Sequence, residues 1–304
     1  MKEIIMMINL FKEDVGDISK KVYVIKKLLG FIVVFISSKI IAQAIVILGL
    51  ATAGYDFLHG EMPNNDFMML IKCYGLSINL VIIIILYCKF IEKRNLESMG
   101  IVKKKIAKSY FLGTGIAVIL LCIIFVLSVF SGAVVYYGKN DDINIILILA
   151  YLGGFIIQGT MEEIMCRGFL MNSLLYKIPT RIAILISSII FAFPHFFALF
   201  QSNIIVAIVG IVNLLLFSTV VSLLMIKYNN IWVSCAVHSI WNFILSIIIG
   251  INLSGSNSES SVFKFNANEN MKLLSGGTYG IEAGLICTIV LILFAIALGR
   301  KVKR

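Results

Sequence analysis

The chain has 304 residues, of which 60% are hydrophobic and only 14% are charged, and its formal net charge is +10. Its mean hydropathy of +1.01 lies well outside the range of soluble globular domains, so the composition indicates a membrane protein. The positive charge alone would suit a nucleic-acid-binding protein. However, most basic residues lie between hydrophobic runs, in the pattern that sets membrane topology, which argues against nucleic acid.

Hydropathy along the chain predicts an all-α, polytopic membrane protein of about eight transmembrane helices. The predicted spans are residues 30–53, 68–90, 110–135, 143–170, 182–200, 204–226, 231–250 and 280–299. The predicted regions are a cytoplasmic N-terminal segment (1–27), N-terminal helices (28–142), a core with the polar motifs (143–250), an outer polar loop (251–279), and a final helix with a basic cytoplasmic tail (280–304). The outer loop is rich in Ser, Asn and Gly, so we expect it to be poorly ordered.

Lysine and arginine are distributed unequally between the two sides of the predicted bundle. If the N-terminus is cytoplasmic, 20 of the 26 basic residues lie on the cytoplasmic side. This is the positive-inside pattern of membrane proteins. We therefore expect an integral membrane protein with both termini in the cytoplasm. The frequent Lys, Asn and Ile residues suggest a bacterial cell membrane.

Two lysines fall within the first two spans, where a charge is costly. Lys72 lies near the outer end of the second span, so its side chain can extend to the interface. Lys39 lies deeper in the first span, and we expect a polar contact within the bundle there.

The fourth span contains three ionisable residues in an otherwise apolar run, Glu162, Glu163 and Arg167. Each such group at the bilayer centre costs about 2.5–3.5 kcal/mol, so it persists where it pairs, faces water or reacts. Glu163 and Arg167 lie one helical turn apart and can pair, while Gln158 and Glu162 share a neighbouring face. We expect Glu162 to remain available as a general base, and a purely structural charge cluster is the alternative.

The fifth and seventh spans add further polar residues. His195 follows Pro194, which bends a helix and frees a backbone carbonyl. His238 and Asn242 lie one turn apart and can donate hydrogen bonds to an oxyanion or connect neighbouring helices. These residues and Glu162 lie at comparable depths from the cytoplasmic side. We therefore expect spans four, five and seven to surround one polar cavity within the membrane.

Three motifs resemble those of the CPBP intramembrane proteases, which comprise CAAX-prenyl endopeptidases and bacterial relatives linked to bacteriocin processing and immunity (the Abi family). The motifs read Glu162-Glu163-Ile164-Met165-Cys166-Arg167, Phe191-Ala192-Phe193-Pro194-His195 and His238-Ser239-Ile240-Trp241-Asn242. The resemblance covers about residues 143–250 and implies a catalytic intramembrane endopeptidase. Cys166 replaces an aromatic residue of the family, and Ser218 and Ser222 replace paired glycines. We expect these departures to affect packing.

The resemblance implies a role for each polar residue. Glu162 would activate water with the help of His195. His238 and Asn242 would stabilise the tetrahedral oxyanion. Two further residues would support the site: Glu163 and Arg167. This mechanism requires no cofactor, because a carboxylate accepts the proton of the attacking water.

Two other chemistries remain open. Zinc is the alternative cofactor, since histidines and carboxylates can hold the ion with water at an open position, although no His-Glu-x-x-His helix is present. A cysteine nucleophile would need an electropositive setting, and Cys166 beside Arg167 or Cys235 near His238 are the candidates. All six cysteines lie in apolar runs without paired spacing, which favours reduced, buried thiols.

The predicted function is hydrolysis of a peptide bond in a membrane-associated peptide or protein by water that a glutamate activates. A leader peptide or bacteriocin precursor is the expected kind of substrate. The alternative from a different class is a non-catalytic membrane protein of bacteriocin self-immunity or scaffolding. A proton-coupled transporter fits less well, because no half of the chain is duplicated. The expected partners are the lipid bilayer and the peptide or membrane-protein substrate.

Overall fold

The computed structural model describes residues 18–52, 54–55, 65–256, 258 and 260–302, which are mostly helical. Seven helices within these ranges are long and apolar enough to cross a membrane. They are α1 (Lys20–Thr52), α2 (Asp66–Ile91), α3 (Ile106–Phe130), α4 (Ile145–Leu175), α5 (Thr180–Phe200), α6 (Ile204–Tyr228) and α7 (Trp232–Ile249). The final helix is α8 (Leu285–Val302). The chain is therefore an all-α, polytopic membrane protein, as its hydropathy predicts.

The helices differ from the predicted spans chiefly at the two ends of the chain. Helix α1 begins at Lys20, ten residues before the predicted span, because lysine favours helix and its charge does not interrupt one. The predicted N-terminal segment is thus helical from Lys20, and residues 1–17 lie outside the described part. Helix α8 begins at Leu285 rather than 280, and its apolar stretch, Leu285–Arg300, is shorter than the seven long spans.

Two short strands connect the loops that precede α4 and α8. Strand β1 (Val134–Lys139) pairs antiparallel with β2 (Phe263–Ala267), with a bulge between Tyr136 and Gly138. The ring of Phe265 packs 5.0 Å from that of Phe125 on α3. The prediction of poor order over residues 252–277 of the outer loop is wrong for this strand, because backbone pairing and an aromatic contact hold it. The pairing places both loops on the same side of the bundle, as alternating spans require.

A buried ion cluster connects α1, the segment after α2, and α4. Lys27 Nζ lies 2.7 Å from Glu92 Oε1, and Arg94 Nη1 lies 3.0 Å from Glu92 Oε2. Arg94 also donates to Ser173 Oγ at 2.7 Å. Buried charges are stable only when they are paired and hydrogen-bonded, so the cluster holds α1 against α4.

Helix α7 is the most buried span and packs between α3 and α4. Small residues make this close approach possible. A Cβ added at Gly113 of α3 would lie 2.3 Å from Val233 O, and one added at Gly159 of α4 would lie 2.8 Å from Ser239 N. Glycine at a helix crossing lets two backbones approach closely. The crossing at Gly159 lies one turn before Glu163, which brings this glutamate within reach of α7.

Candidate active site

His238 of α7 lies between the two adjacent glutamates of α4. Its Nδ1 is 2.9 Å from Glu163 Oε1, and its Nε2 is 3.6 Å from Glu162 Oε2. The first distance is that of a hydrogen bond, whereas the second exceeds the usual range. Both helices continue as π-helix just after these residues, at Ile164–Met171 and Ile244–Ile249. Such wider turns occur frequently at functional sites.

Glu163 and Arg167 form the ion pair that their one-turn spacing predicts. Arg167 Nη1 lies 3.0 Å from Glu163 Oε1, and both side chains are fully buried. The guanidinium also donates to Ser218 Oγ at 2.6 Å and to Ser222 Oγ at 3.4 Å. The expectation that these serines concern packing is therefore incomplete, because their hydroxyls also bind a buried cation. Phe191 of the second motif covers the guanidinium at 4.6 Å.

Glu162 is held by a chain of side-chain hydrogen bonds. Gln158 Nε2 donates to Glu162 Oε1, and Asn242 Nδ2 donates to Gln158 Oε1 at 2.9 Å. The Glu162 side chain is 17% exposed, whereas that of Glu163 is not exposed at all. Glu162 is thus the glutamate that faces open space, and Glu163 is the one neutralised within the protein.

A cavity of about 530 Å³ contains all four predicted catalytic residues in its walls. The prediction that spans four, five and seven surround it is incomplete, because other helices contribute as well. These additional residues include Lys39 of α1, Lys72 of α2, Asn213 of α6 and Cys287 of α8. The polar groups thus converge, and the cavity wall is wider than the three motifs imply.

His195 enters the cavity from a break in α5. Residues Phe193–His195 form a turn of 3₁₀-helix that contains Pro194, as expected for a proline inside a span. The imidazole packs 5.6 Å from the ring of Phe191. Among the described residues, the polar contacts of Glu162 are with Gln158 and His238 rather than with His195. The expected help from His195 therefore involves no direct contact with Glu162 in this structure.

Glu282 is a cavity residue that the sequence analysis missed. Its Oε1 accepts a hydrogen bond from Trp241 Nε1 at 2.9 Å, and its Oε2 accepts one from Ser254 N at 3.1 Å. Burial raises the pKa of Glu282, and the two hydrogen bonds partly oppose that rise. The signal that could have found it is its position inside the eighth predicted span (280–299), where a carboxylate is costly. Gln158 was assigned to the face of Glu162 but not to the site.

The alternative chemistries find little support in the geometry. Within the described ranges, no three His, Cys, Asp or Glu side chains are grouped so that they could hold a metal ion. Cys166 and Cys235 are fully buried outside the cavity wall, which does not suit a nucleophile. All six cysteines are free, as predicted, but Cys122 is exposed rather than buried.

Comparison with known families agrees with this geometry. The model of the family described as type II CAAX prenyl endopeptidase Rce1-like matches residues 144–244. Among curated proteins, none matches the chain. The matched residues include all three motifs, the whole of α4, and α7 as far as Ile244. Residues 144–244 are therefore similar to the CAAX protease family that the motifs indicate.

Proposed function

We propose that this protein is an intramembrane endopeptidase that hydrolyses a peptide bond of a membrane-associated peptide or protein with water activated by Glu162. One observation carries the proposal. Of two adjacent glutamates, Glu163 is neutralised by Arg167, whereas Glu162 faces the cavity beside His238. A purely structural ion cluster would not need a second carboxylate directed into open space. The proposed substrates are leader peptides or bacteriocin precursors.

Glu162 acts as the general base in the proposed reaction. As the water oxygen attacks the carbonyl carbon of the peptide bond, one water proton passes to Glu162 and the carbonyl oxygen becomes an oxyanion. The proton then passes to the leaving nitrogen as the C–N bond breaks. The products are a carboxyl terminus and an amine. Gln158 holds the carboxylate through its amide donor, and His195 orients the water from the cavity wall.

Asn242 and His238 are the proposed donors to the oxyanion. Asn242 uses one amide hydrogen for Gln158 and has a second for the oxyanion. An ionised Glu163 only accepts hydrogen bonds, so the His238 nitrogen that contacts it, Nδ1, carries a proton. The other ring nitrogen, Nε2, can then donate to the oxyanion only if the ring carries a proton on both nitrogens. Such a ring and Arg167 together balance the charges of the two glutamates. A cluster of zero net charge is the favourable arrangement within a bilayer.

Glu162→Gln tests the proposal, because the amide keeps the size of the side chain but cannot take up a proton. We expect cleavage to fall by about 10²–10⁴-fold while the protein remains folded. The measurement is mass spectrometry of peptides released from membranes that contain either form. Glu269→Gln is the matched control, since Glu269 is exposed and pairs only with Lys272 in the described structure.

Two results would contradict the proposal. Identical peptide profiles for wild type and Glu162→Gln would indicate a non-catalytic role, such as immunity or scaffolding. Cleavage that is lost with a chelator and restored by zinc would contradict the cofactor-free mechanism, which predicts unchanged activity with chelator. The Glu269→Gln control is expected to release the wild-type set of peptides.

A further inference from the structure

Lys39 is a cation inside a membrane span for which the proposed reaction has no role. It lies in the middle third of α1, where a charged side chain costs about 2.5–3.5 kcal/mol on insertion scales. Among the described residues, it forms no ion pair, and its ammonium lies 4.7 Å from the centre of the Phe35 ring. Charges inside membranes persist where they have a partner or a function. The described residues supply no anionic partner, which leaves Lys39 open to an anion of a bound molecule.

The depth of Lys39 follows from contacts between α1 and α4. Tyr23 Oη donates to Ser173 O at 3.0 Å, and the rings of Phe31 and Phe169 stack at 6.2 Å. From the first pair to the second, the residue number rises on α1 and falls on α4, so the two helices are antiparallel. The same number of residues separates Phe31 from Lys39 as separates Phe169 from Met161. Lys39 therefore lies within about one helical turn of the level of Glu162.

Lys39 and Glu162 also face the same space. Phe35, Lys39 and Ala42 form part of the cavity wall on α1, and Glu162, His238 and Asn242 form part of it on α4 and α7. A second lysine in the wall, Lys72 on α2, lies nearer the outer end. Asn79 donates to Ser38 O at 3.1 Å, and Lys72 lies about two helical turns before Asn79. Lys39 is thus the cavity cation that lies level with the reacting glutamate.

We propose that Lys39 is an anion-binding subsite that takes a carboxylate of the substrate peptide close to the scissile bond. The proposal rests on the peptidase function proposed for Glu162. An ammonium offers three donors, and a charge-assisted hydrogen bond is strong where water is scarce. A lipid phosphate is disfavoured as the occupant, because headgroups lie at the membrane surface and Lys39 lies at the depth of the catalytic residues. The carboxylate belongs either to an acidic side chain or to the C-terminus of the peptide.

The test uses the full-length protein in phosphatidylcholine vesicles and two synthetic peptide libraries that contain the same set of sequences. One library has free C-terminal carboxylates and the other has C-terminal amides. Within each, peptides with Asp or Glu are matched by peptides with Asn or Gln at the same positions. We expect kcat/KM to be about tenfold or more higher for carboxylate peptides than for their matched amides, the effect of one hydrogen bond to a charged group. The library that shows the preference identifies the source of the carboxylate.

Variants at Lys39 and Lys72 show which of the two cavity lysines causes the preference for carboxylate peptides. Lys39→Gln should remove the preference by slowing cleavage of carboxylate peptides and leaving the amides unchanged, whereas Lys39→Arg should retain most of it. Lys72→Gln is the matched control and should retain the preference. The inference is overturned if Lys39→Gln slows both peptide classes equally, if Lys72→Gln has the same effect, or if the wild type shows no preference. It is also overturned if the Lys39 effect appears only after phosphatidylglycerol is added, since the occupant is then a lipid.

A measurement of peptide binding tests the Lys39 subsite independently of the proposed peptidase function. Glu162→Gln protein should bind carboxylate peptides more tightly than amides, and the added Lys39→Gln substitution should abolish that difference. If the wild type cleaves neither library, the peptidase function is contradicted, and the binding measurement decides the subsite by itself. Equal binding of acid and amide peptides by Glu162→Gln protein would overturn the subsite.

Discussion

Glu163 accepts two hydrogen bonds on one carboxylate oxygen, from Arg167 at 3.0 Å and from His238 at 2.9 Å. This shared oxygen connects the ion pair of α4 to the histidine of α7. The arginine is further bound by Ser218 and Ser222 of α6 and covered by Phe191 of α5. A single carboxylate therefore holds groups from four helices in register. We propose that Glu163 orients the site, whereas the neighbouring Glu162, which faces the cavity, is the general base.

Glu163→Gln should lower the stability of the protein and also slow peptide cleavage. The substitution leaves the guanidinium of Arg167 buried without its partner charge, a loss of about 3–5 kcal/mol in buried pairs. Thermal unfolding in detergent, followed by tryptophan fluorescence, measures the effect. Glu162→Gln is the control and should unfold close to the wild-type temperature, because its side chain is partly exposed and has no arginine partner in the described structure.

A double variant separates the lost charge pair from a general packing defect. Glu163→Gln with Arg167→Met removes both charges, and apolar replacement of a buried pair is often neutral. We expect the double variant to regain part of the lost stability without regaining activity. An unfolding temperature of Glu163→Gln equal to that of the wild type would contradict the role assigned to this ion pair.

At the level of elements, α7 is held near its start and at its middle. Gly113 lets α3 approach α7 at Val233, Gly159 lets α4 approach it at Ser239, and Glu282 binds Trp241. The same carboxylate accepts a hydrogen bond from Ser254 N in the following loop. Trp241 directly precedes Asn242, so this contact restrains the part of α7 that carries the proposed oxyanion donor.

The contact of Glu282 predicts a dependence of stability on pH. Burial raises the pKa of Glu282 above the ordinary carboxyl value of 4.5, so folding favours the protonated acid. Its contribution is complete below the ordinary pKa and is lost as the pH rises through the raised pKa. Glu282→Gln cannot titrate, so its unfolding temperature should fall less than that of the wild type as the pH is raised from 4 to 8. Thermal unfolding across this range measures the difference.

The exposed Glu269 again supplies a control, because Glu269→Gln should preserve the wild-type slope of unfolding temperature against pH. The raised pKa of Tyr279 nearby does not interfere, since that phenol titrates far above this range. Parallel curves for wild type and Glu282→Gln would show that Glu282 is already ionised without cost in the folded protein.

For the whole molecule, the pairing of β1 with β2 joins two loops that alternating spans place on one side. The positive-inside pattern assigns that side to the exterior and both termini to the cytoplasm. Reporter fusions after Lys105 and after Gly255 should therefore report cytoplasm and exterior, respectively. Fusions after Lys177 and Lys139 repeat the comparison on a second pair of loops. A reversed assignment at all four positions would reject the predicted orientation.

The sequence by itself determined the membrane class, the likeness to the CAAX proteases and four of the residues that converge on the cavity. Hydropathy is a property of local segments, and Glu162, His195, His238 and Asn242 lie in motifs that are short enough to recognise along the chain. The pairing of Glu163 with Arg167 was also predictable, because one turn of a single helix separates them.

The tertiary structure alone decided which distant residues meet. The binding of His238 to Glu163, of Ser218 to Arg167 and of Glu282 to Trp241 depends on how closely helices cross and in which register. Neither property can be read from hydropathy or from spacing within one span. The same is true of Lys39, whose place level with Glu162 follows from the antiparallel packing of α1 on α4. Contacts between residues far apart in the chain exist only once the bundle has packed, and they assign each polar group its partner.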